Sequence, residues 1–200
     1  MAEPAALLAR GRQLEFATLA WNVIAIAVLA VAAIEARSVA LAGFGLDSLI
    51  EIGASAVVLW ELADSHRQRQ HRALRLIAVA FAALAVYLAV QSTVSLGLGS
   101  RPRHSVLGIA WTALTAAVMF ALAAGKAKTG RALGNPVLQA EGKVTTVDGI
   151  LACAVLVGLV LNAAAGWWWA DPAAAYVLVY YGAREAHHIH NQLSPNVARS

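Results

Sequence analysis

Charged residues are scarce in this sequence. Asp, Glu, Lys and Arg together make up 13% of its 200 residues, whereas a soluble domain carries about 25%. Hydrophobic residues make up 60%, and the mean hydropathy is +0.66. This depletion of charge, together with long apolar stretches, excludes an ordinary soluble domain and places the chain among helical membrane proteins.

Cysteine is almost absent as well. The single Cys153 excludes an intrachain disulfide, and its position inside an apolar run is typical of a small buried side chain. The sequence also lacks a low-complexity linker and a strong internal repeat. We therefore expect one membrane domain over residues 14–190, a cytoplasmic N-terminal segment over 1–13 and a short cytoplasmic tail over 191–200, with no room for a soluble domain.

Long apolar segments dominate what the sequence does contain. About 20 residues of helix cross a hydrocarbon core of about 30 Å, and six segments approach or exceed that length. They are residues 14–36, 38–62, 74–98, 106–125, 137–165 and 170–186, of which the last is the shortest. The predicted fold is an all-α membrane protein, a bundle of six transmembrane helices.

The basic residues indicate the orientation of these spans. Eleven of the 15 Lys and Arg residues fall on one side of the predicted spans and three on the other, which favours both termini in the cytoplasm. The eleven are Arg10, Arg12, Arg67, Arg69, Arg72, Arg75, Lys126, Lys128, Arg131, Arg184 and Arg199. Because they are divided among short connections, the pI near 9.6 indicates topology rather than nucleic-acid binding. We expect a multi-pass protein of a bacterial inner membrane.

Two carboxylates, Asp47 and Glu51, lie four residues apart within the second apolar span. Charge in the bilayer core is unfavourable, by contested values from about 3 to more than 10 kcal/mol for one residue. Such a pair is expected to face a protein interior, a water-filled cavity or a cation. Ser55 follows one turn later on the same helical face.

A second acidic face lies in the fifth span, where Glu141, Thr145 and Asp148 are spaced i, i+4 and i+7. Glu51 lies eleven residues from the inner end of its span, and Asp148 lies twelve residues after Pro136. At about 1.5 Å per residue, both are near the membrane midplane. Packed antiparallel, the two helices would direct these carboxylates toward one point.

Converging carboxylates suit a divalent cation or a proton relay. The oxygen-rich set favours a hard cation by ligand type, whereas zinc sites more often include His or Cys. An alternative is a set of protonated carboxyls that only hydrogen-bond the helices together. The predicted metal-binding residues are Asp47, Glu51, Glu141, Thr145 and Asp148.

The histidines suggest a second place for metal, on the cytoplasmic side. Neutral imidazole is a common ligand of divalent ions. Either the group after the second span or the group after the sixth span could form a site where metal first binds, although a solvated His-rich surface is the alternative for the same residues. They are Asp64, His66, His71, His187, His188 and His190.

At this point the sequence resembles the cation diffusion facilitator family. Leu46-Asp47-Ser48-Leu49-Ile50-Glu51 resembles the family's second helix, whose metal-binding pair is spaced (His or Asp)-x-x-x-Asp. Leu138-Gln139-Ala140-Glu141, followed by Asp148, is similar to the family's Ala-Asp-x-x-His-x-x-x-Asp. The stretch from Gly166 to Pro172 resembles the start of the family's helix 6. The resemblance covers about residues 14–186.

The resemblance implies proton-coupled export of zinc or a related divalent ion (Cd, Mn, Fe or Co) by a homodimer, with the central site between helices 2 and 5. By position, Asp47, Glu51 and Asp148 match three ligands, while the family's His falls at Val144. Glu141 takes the place of an earlier family Asp. The metal is a substrate, and no permanently bound cofactor is expected.

Three functions are compatible with these residues. The first is a divalent-cation transporter in which carboxylates that bind either metal or protons couple the two. The second, suggested by Val144, is a non-transporting metal-binding or regulatory membrane protein of the same fold. The third is an intramembrane aspartyl protease, but Asp47 comes one residue late for a Gly-x-Gly-Asp motif and Asp148 lacks a neighbouring Tyr. We predict a transporter and not an enzyme, whose partners are lipid, divalent cations, protons and a second copy of the chain, and not nucleic acid.

Overall fold

The fold was obtained as a computed structural model, which describes residues 2–36, 38–63, 67–99 and 103–193. Over these residues all regular structure is helical, which confirms the all-α prediction. The six helices are α1 (Ala2–Ala36), α2 (Val39–Ala63), α3 (Arg67–Leu98), α4 (Val106–Leu133), α5 (Pro136–Ala165) and α6 (Ala170–Leu193).

Five of these helices are long and apolar enough to cross a membrane, which supports the multi-pass prediction. The segments are Ala5–Ala36, Leu41–Ala63, His71–Leu98, Val106–Leu133 and Pro136–Ala165. Over its described residues α6 is long enough, at 24 residues, but not apolar enough to join them. Its second half is polar, with Arg184 and several histidines, and this lowers its hydropathy.

The helices extend beyond the apolar segments predicted from sequence. α4 ends at Leu133 instead of residue 125. His71, predicted in a connecting loop, lies within α3, and the histidines predicted to follow the last span lie within α6. The reason is that helical hydrogen bonding can continue into the headgroup region, where long polar side chains extend toward water. Hydropathy reports only the apolar part of such a helix.

A tight turn joins α4 to α5. Gly134 ends α4 with φ 61°, a left-handed conformation that glycine adopts without steric cost. The Asn135 side chain then accepts a hydrogen bond from the backbone nitrogen of Leu138 at 2.9 Å, and Pro136 occupies the first turn of α5. This turn fixes α4 and α5 as antiparallel neighbours.

Four helices form a closed ring in the order α1, α2, α5, α4, each packed against the next. Arg12 near the start of α1 donates to the carbonyl of Leu62 near the end of α2, and Leu29 packs on Gly45, so α1 and α2 are antiparallel. α3 and α6 pack on each other and against α2 and α5. The ring therefore encloses a central space lined by four helices.

The backbones of α4 and α5 approach closely at Gly142. A methyl group on Gly142 of α5 would lie 3.2 Å from the backbone nitrogen of Ala127 and 3.3 Å from Cβ of Lys126. Small residues permit such backbone contact between membrane helices. Gly142 thereby brings α4 close enough for the Lys126 side chain to enter the ring.

α6 runs antiparallel along α3. The hydroxyls of Tyr176 and Thr93 lie 2.7 Å apart near one end of this pair, and Gly182 packs against Ala85 further along. The two helices cover the side of the ring formed by α2 and α5.

The exterior of the bundle is apolar, and part of its interior is charged. Large apolar side chains such as Ile34, at 77% exposure, and Val79 face outward. Glu15, Glu51 and Lys126 are among the most deeply buried side chains. An apolar exterior suits lipid, and ionisable groups in a membrane protein face the bundle interior.

Candidate functional site

The polar centre begins with the facing surfaces of α2 and α5. The Thr145 hydroxyl lies 2.8 Å from Glu51 Oε1 and 2.9 Å from Glu141 Oε2, and its single proton can serve one of them at a time. One turn along, Ser55 Oγ donates to Glu141 Oε1 at 3.1 Å. Residue numbers rise on one helix as they fall on the other. The two acidic faces therefore meet antiparallel, as the sequence predicted.

Asp47 and Asp148 face each other one turn further along the same register. Their carboxyls lie within hydrogen-bonding reach of each other, and the residues are 3% and 4% exposed. Oδ2 of Asp47 is buried and has no hydrogen-bond partner within the described part of the chain. A carboxyl oxygen buried without a donor is stable in a membrane interior when it carries a proton or lies against a cation.

Lys126 of α4 enters the other end of this cluster with no solvent exposure. Its Nζ lies 2.6 Å from Glu141 Oε1 and 3.0 Å from Thr145 Oγ1, and it donates to both. Glu15 of α1 completes its surroundings, with Oε2 at 3.2 Å. The Glu15 contact is an ion pair without hydrogen-bond alignment.

The participation of Lys126 and Glu15 was not predicted from the sequence. Lys126 follows the apolar segment ending at residue 125, so it was assigned to a cytoplasmic connection, and that assignment is wrong. Without Lys126, ten Lys and Arg residues fall on the predicted cytoplasmic side and three on the other, which still favours the same orientation. A charge at the edge of an apolar segment gives the same pattern whether it faces water or folds inward, so spacing alone could not identify these two residues.

The centre carries more acidic than basic groups. It holds one ammonium, that of Lys126, and five buried carboxyls, of which the ammonium contacts two. If all were ionised, the cluster would hold a large uncompensated negative charge in a region of low dielectric. Protons or cations would reduce this charge. The five acids are Glu15, Asp47, Glu51, Glu141 and Asp148.

The five predicted metal-binding residues lie in this one cluster, but in two halves. Asp47 and Asp148 are adjacent, whereas Glu51, Glu141 and Thr145 hydrogen-bond with one another or with the lysine. Across the described ranges, no three His, Cys, Asp or Glu side chains are grouped closely enough to hold a metal ion as they stand. Val144, at the position of the family's His, is buried in the hydrophobic core.

The structure describes only some residues of the predicted cytoplasmic metal site. Asp64 and His66 lie outside the described residues. His71 is exposed on α3, and His188 is exposed on α6. His187 and His190 line a cavity of about 710 Å³ between α3 and α6, and His187 Nε2 lies 3.0 Å from the Asn191 amide.

A helical bundle with an apolar exterior and a buried acidic centre defines a multi-pass membrane protein that can bind protons or cations in its interior. The family model of the cation efflux transmembrane domain matches residues 16–189. The chain therefore belongs to the cation efflux family, which confirms the resemblance to cation diffusion facilitators. Its members are divalent-cation transporters rather than enzymes. The comparison with curated proteins finds no match.

Proposed function

We propose that the protein exports a divalent cation, Zn²⁺ or a related ion, in exchange for protons, through the carboxylates between α2 and α5. The observation that carries the proposal is the buried pair of Asp47 and Asp148 with the unpartnered Oδ2 of Asp47. Two facing carboxyls with a free oxygen near the midplane suit a divalent ion, which would neutralise both.

In this proposal Asp47 and Asp148 bind the ion first, and Glu51 becomes the third ligand. Glu51 is one helical turn from Asp47 and is held by a single hydroxyl donor, Thr145. A rotation of its side chain exchanges that hydrogen bond for a metal–oxygen bond. Glu141 and Thr145 then position Glu51 and do not coordinate the ion themselves.

Proton coupling follows from the chemistry of carboxylates. A carboxylate must be deprotonated to bind metal, so metal binding releases protons and protonation releases metal. In an exporter, the site loads with metal from the cytoplasm and with protons from the opposite side. Metal affinity should fall as the pH is lowered, because protons compete for the same oxygens.

The proposal includes six crossings of a bacterial inner membrane, both termini in the cytoplasm and a homodimer. α6 lies along α3 between two points. At one, Tyr176 of α6 contacts Thr93 of α3, and at the other, His190 of α6 lines the same cavity as Arg75 of α3. The stretch from residue 75 to residue 93 spans about 27 Å, close to the thickness of the hydrocarbon core. This neighbour relationship supports a sixth crossing despite the polarity of α6.

A second candidate is a metal-binding protein of this family that does not transport. The observation in its favour is Val144, an apolar side chain where the family motif has its His. Such a protein would bind divalent ions at the aspartates without exchanging them for protons.

Transport in liposomes tests the proposal. Purified protein is reconstituted into vesicles with an acidic lumen, and uptake of Zn²⁺, Cd²⁺, Mn²⁺, Fe²⁺ and Co²⁺ is measured. We expect uptake of at least one ion, its loss in Asp148→Asn, and normal uptake in Glu35→Gln, which changes an exposed acid of α1. Binding without uptake would favour the second candidate, and neither binding nor uptake would contradict both.

A further inference from the structure

Lys126 is a buried cation that the proposed exchange of metal for protons does not use. It extends from α4 into the ring and contacts acids from two other helices, Glu15 on α1 and Glu141 on α5. A fully buried ammonium is strongly unfavourable unless it is paired and hydrogen-bonded. Its three contacts meet that requirement, so the lysine is held in place as part of the acidic centre.

The lysine determines what Glu141 can do. Glu141 Oε1 accepts hydrogen bonds from both Lys126 and Ser55, and Oε2 lies 2.9 Å from the Thr145 hydroxyl. Oε1 therefore has two donors inside the protein, and Oε2 competes with Glu51 for the single Thr145 proton. Yet the spacing of α5 puts Glu141 on the same face as Asp148. Without the ammonium, Glu141 would be a fourth carboxylate available to a cation.

The lysine also affects the charge that an entering ion meets. Lys126 interacts electrostatically with Glu51 and Asp148 as well as with its two direct partners. In the low dielectric of the bundle interior, the positive charge of Lys126 disfavours binding of a second cation nearby. Glu15 has the opposite influence, because its carboxylate lies 3.2 Å from the ammonium and offsets its charge.

We propose that Lys126 sets the metal affinity of the acidic centre. Its ammonium pairs with the Glu141 carboxylate, which keeps Glu141 from binding the ion, and repels the incoming cation. Glu15 is the second carboxylate that holds the ammonium in place. Lys126 is thus a positioning residue for Glu141 and lowers the affinity. An exporter benefits from limited affinity, because it must release the ion on the far side. This inference rests on the proposed binding of metal at Asp47 and Asp148.

Substitutions of Lys126 and Glu15 distinguish control of the metal affinity from a purely structural role. Lys126→Gln removes the ammonium and frees Glu141, so Zn²⁺ and Mn²⁺ should bind about tenfold more tightly or better. Glu15→Gln leaves the ammonium on Glu141 alone and removes a negative charge, so both ions should bind more weakly. A purely structural role would weaken binding in both variants. Lys143→Gln, which removes a charge from the exposed face of α5, is the matched control and should bind as wild type.

The experiment is titration calorimetry of each metal into purified full-length protein, with size-exclusion chromatography to verify folding. Opposite shifts in Lys126→Gln and Glu15→Gln support the inference. Wild-type binding with unchanged or weaker binding in folded Lys126→Gln overturns it and leaves the proposed function standing. Absence of binding in both wild type and Lys126→Gln overturns the proposed function and this inference with it.

A double variant covers the case in which Lys126→Gln does not fold. Glu15→Gln with Lys126→Gln removes one charge of each sign, so the net charge of the centre is that of the wild type. We expect it to bind Zn²⁺ and Mn²⁺ more tightly than Glu15→Gln alone, because Glu141 is released. Equal affinities of the double variant and Glu15→Gln would overturn the inference.

Discussion

Lys126 of α4 and Glu141 of α5 form an ion pair inside the bundle, with Nζ 2.6 Å from Oε1 and both side chains fully buried. Such a pair constrains the packing of its helices, because removing one partner leaves an uncompensated charge in the interior. The pair also divides the acidic centre, since it holds Glu141 away from the two aspartates near the midplane.

Glu141→Gln should therefore destabilise the protein. We expect a loss of about 3 kcal/mol, the low end of the range for breaking a buried pair, because Glu15 still contacts the ammonium. Equilibrium unfolding in detergent measures the loss. Glu35→Gln on the exposed face of α1 is the control and should change stability little. Equal stability of the two variants would show that the Lys126–Glu141 pair contributes nothing to the fold.

The Thr145 hydroxyl links Glu51, Glu141 and Lys126, so Thr145→Val should cost more than a typical Thr→Val substitution. We expect about 1–3 kcal/mol, because the change leaves buried polar partners without their hydrogen bonds. Thr146→Val is the matched control, since that hydroxyl donates only to the Gly142 carbonyl of its own helix. Similar unfolding curves for the two variants would contradict the hydrogen-bond network described here.

Gly142→Ala tests the close approach of α4 and α5. The added methyl would lie 3.2–3.4 Å from atoms of Lys126 and its neighbours, which forces the helices apart and should cost about 1–3 kcal/mol. Gly53→Ala is the control, because a methyl on that exposed position of α2 has no neighbour within 4 Å. The control should be neutral or stabilising, since alanine favours a helix over glycine. Unfolding curves that coincide would argue against this helix contact.

The orientation of the chain can be measured with cysteines in a Cys153→Ser background. The ten-to-three bias of basic residues predicts that Ser200→Cys is protected from an impermeant thiol reagent added to intact cells. His104→Cys, exposed in the connection between α3 and α4, should react in the same cells. Labelling of Ser200→Cys with protection of His104→Cys would show that the topology is the reverse of the predicted one.

The sequence was sufficient to predict the acidic faces of α2 and α5. Helical periodicity places Glu51 with Asp47, and Glu141 with Thr145 and Asp148, and equal depth in the membrane sets the register of the two helices. Both rules are local or depend only on membrane thickness. The antiparallel pairing agrees with them, but equal depth places Glu51 level with Asp148, whereas in the structure Glu51 contacts Thr145 and Asp148 faces Asp47, a shift of about one helical turn.

The contacts of Lys126 and Glu15 depend on tertiary packing, which local sequence patterns do not report. Lys126 and Glu15 meet because α1 packs against α4, and no spacing rule relates these helices. The same limitation applies to Glu141. Its place on the acidic face was predictable, but its pairing with a lysine from a neighbouring helix was not, because that choice is made by tertiary packing.

The proposed transport site depends on where a divalent ion binds, and anomalous X-ray scattering from crystals grown with Zn²⁺ or Mn²⁺ locates the ion directly. We predict a peak at bonding distance, about 2.0–2.2 Å, from carboxylate oxygens of Asp47 and Asp148, which disappears in Asp148→Asn. If the strongest peak lies instead beside His187 and His190, or if saturating metal gives no peak between α2 and α5, the central claim is wrong.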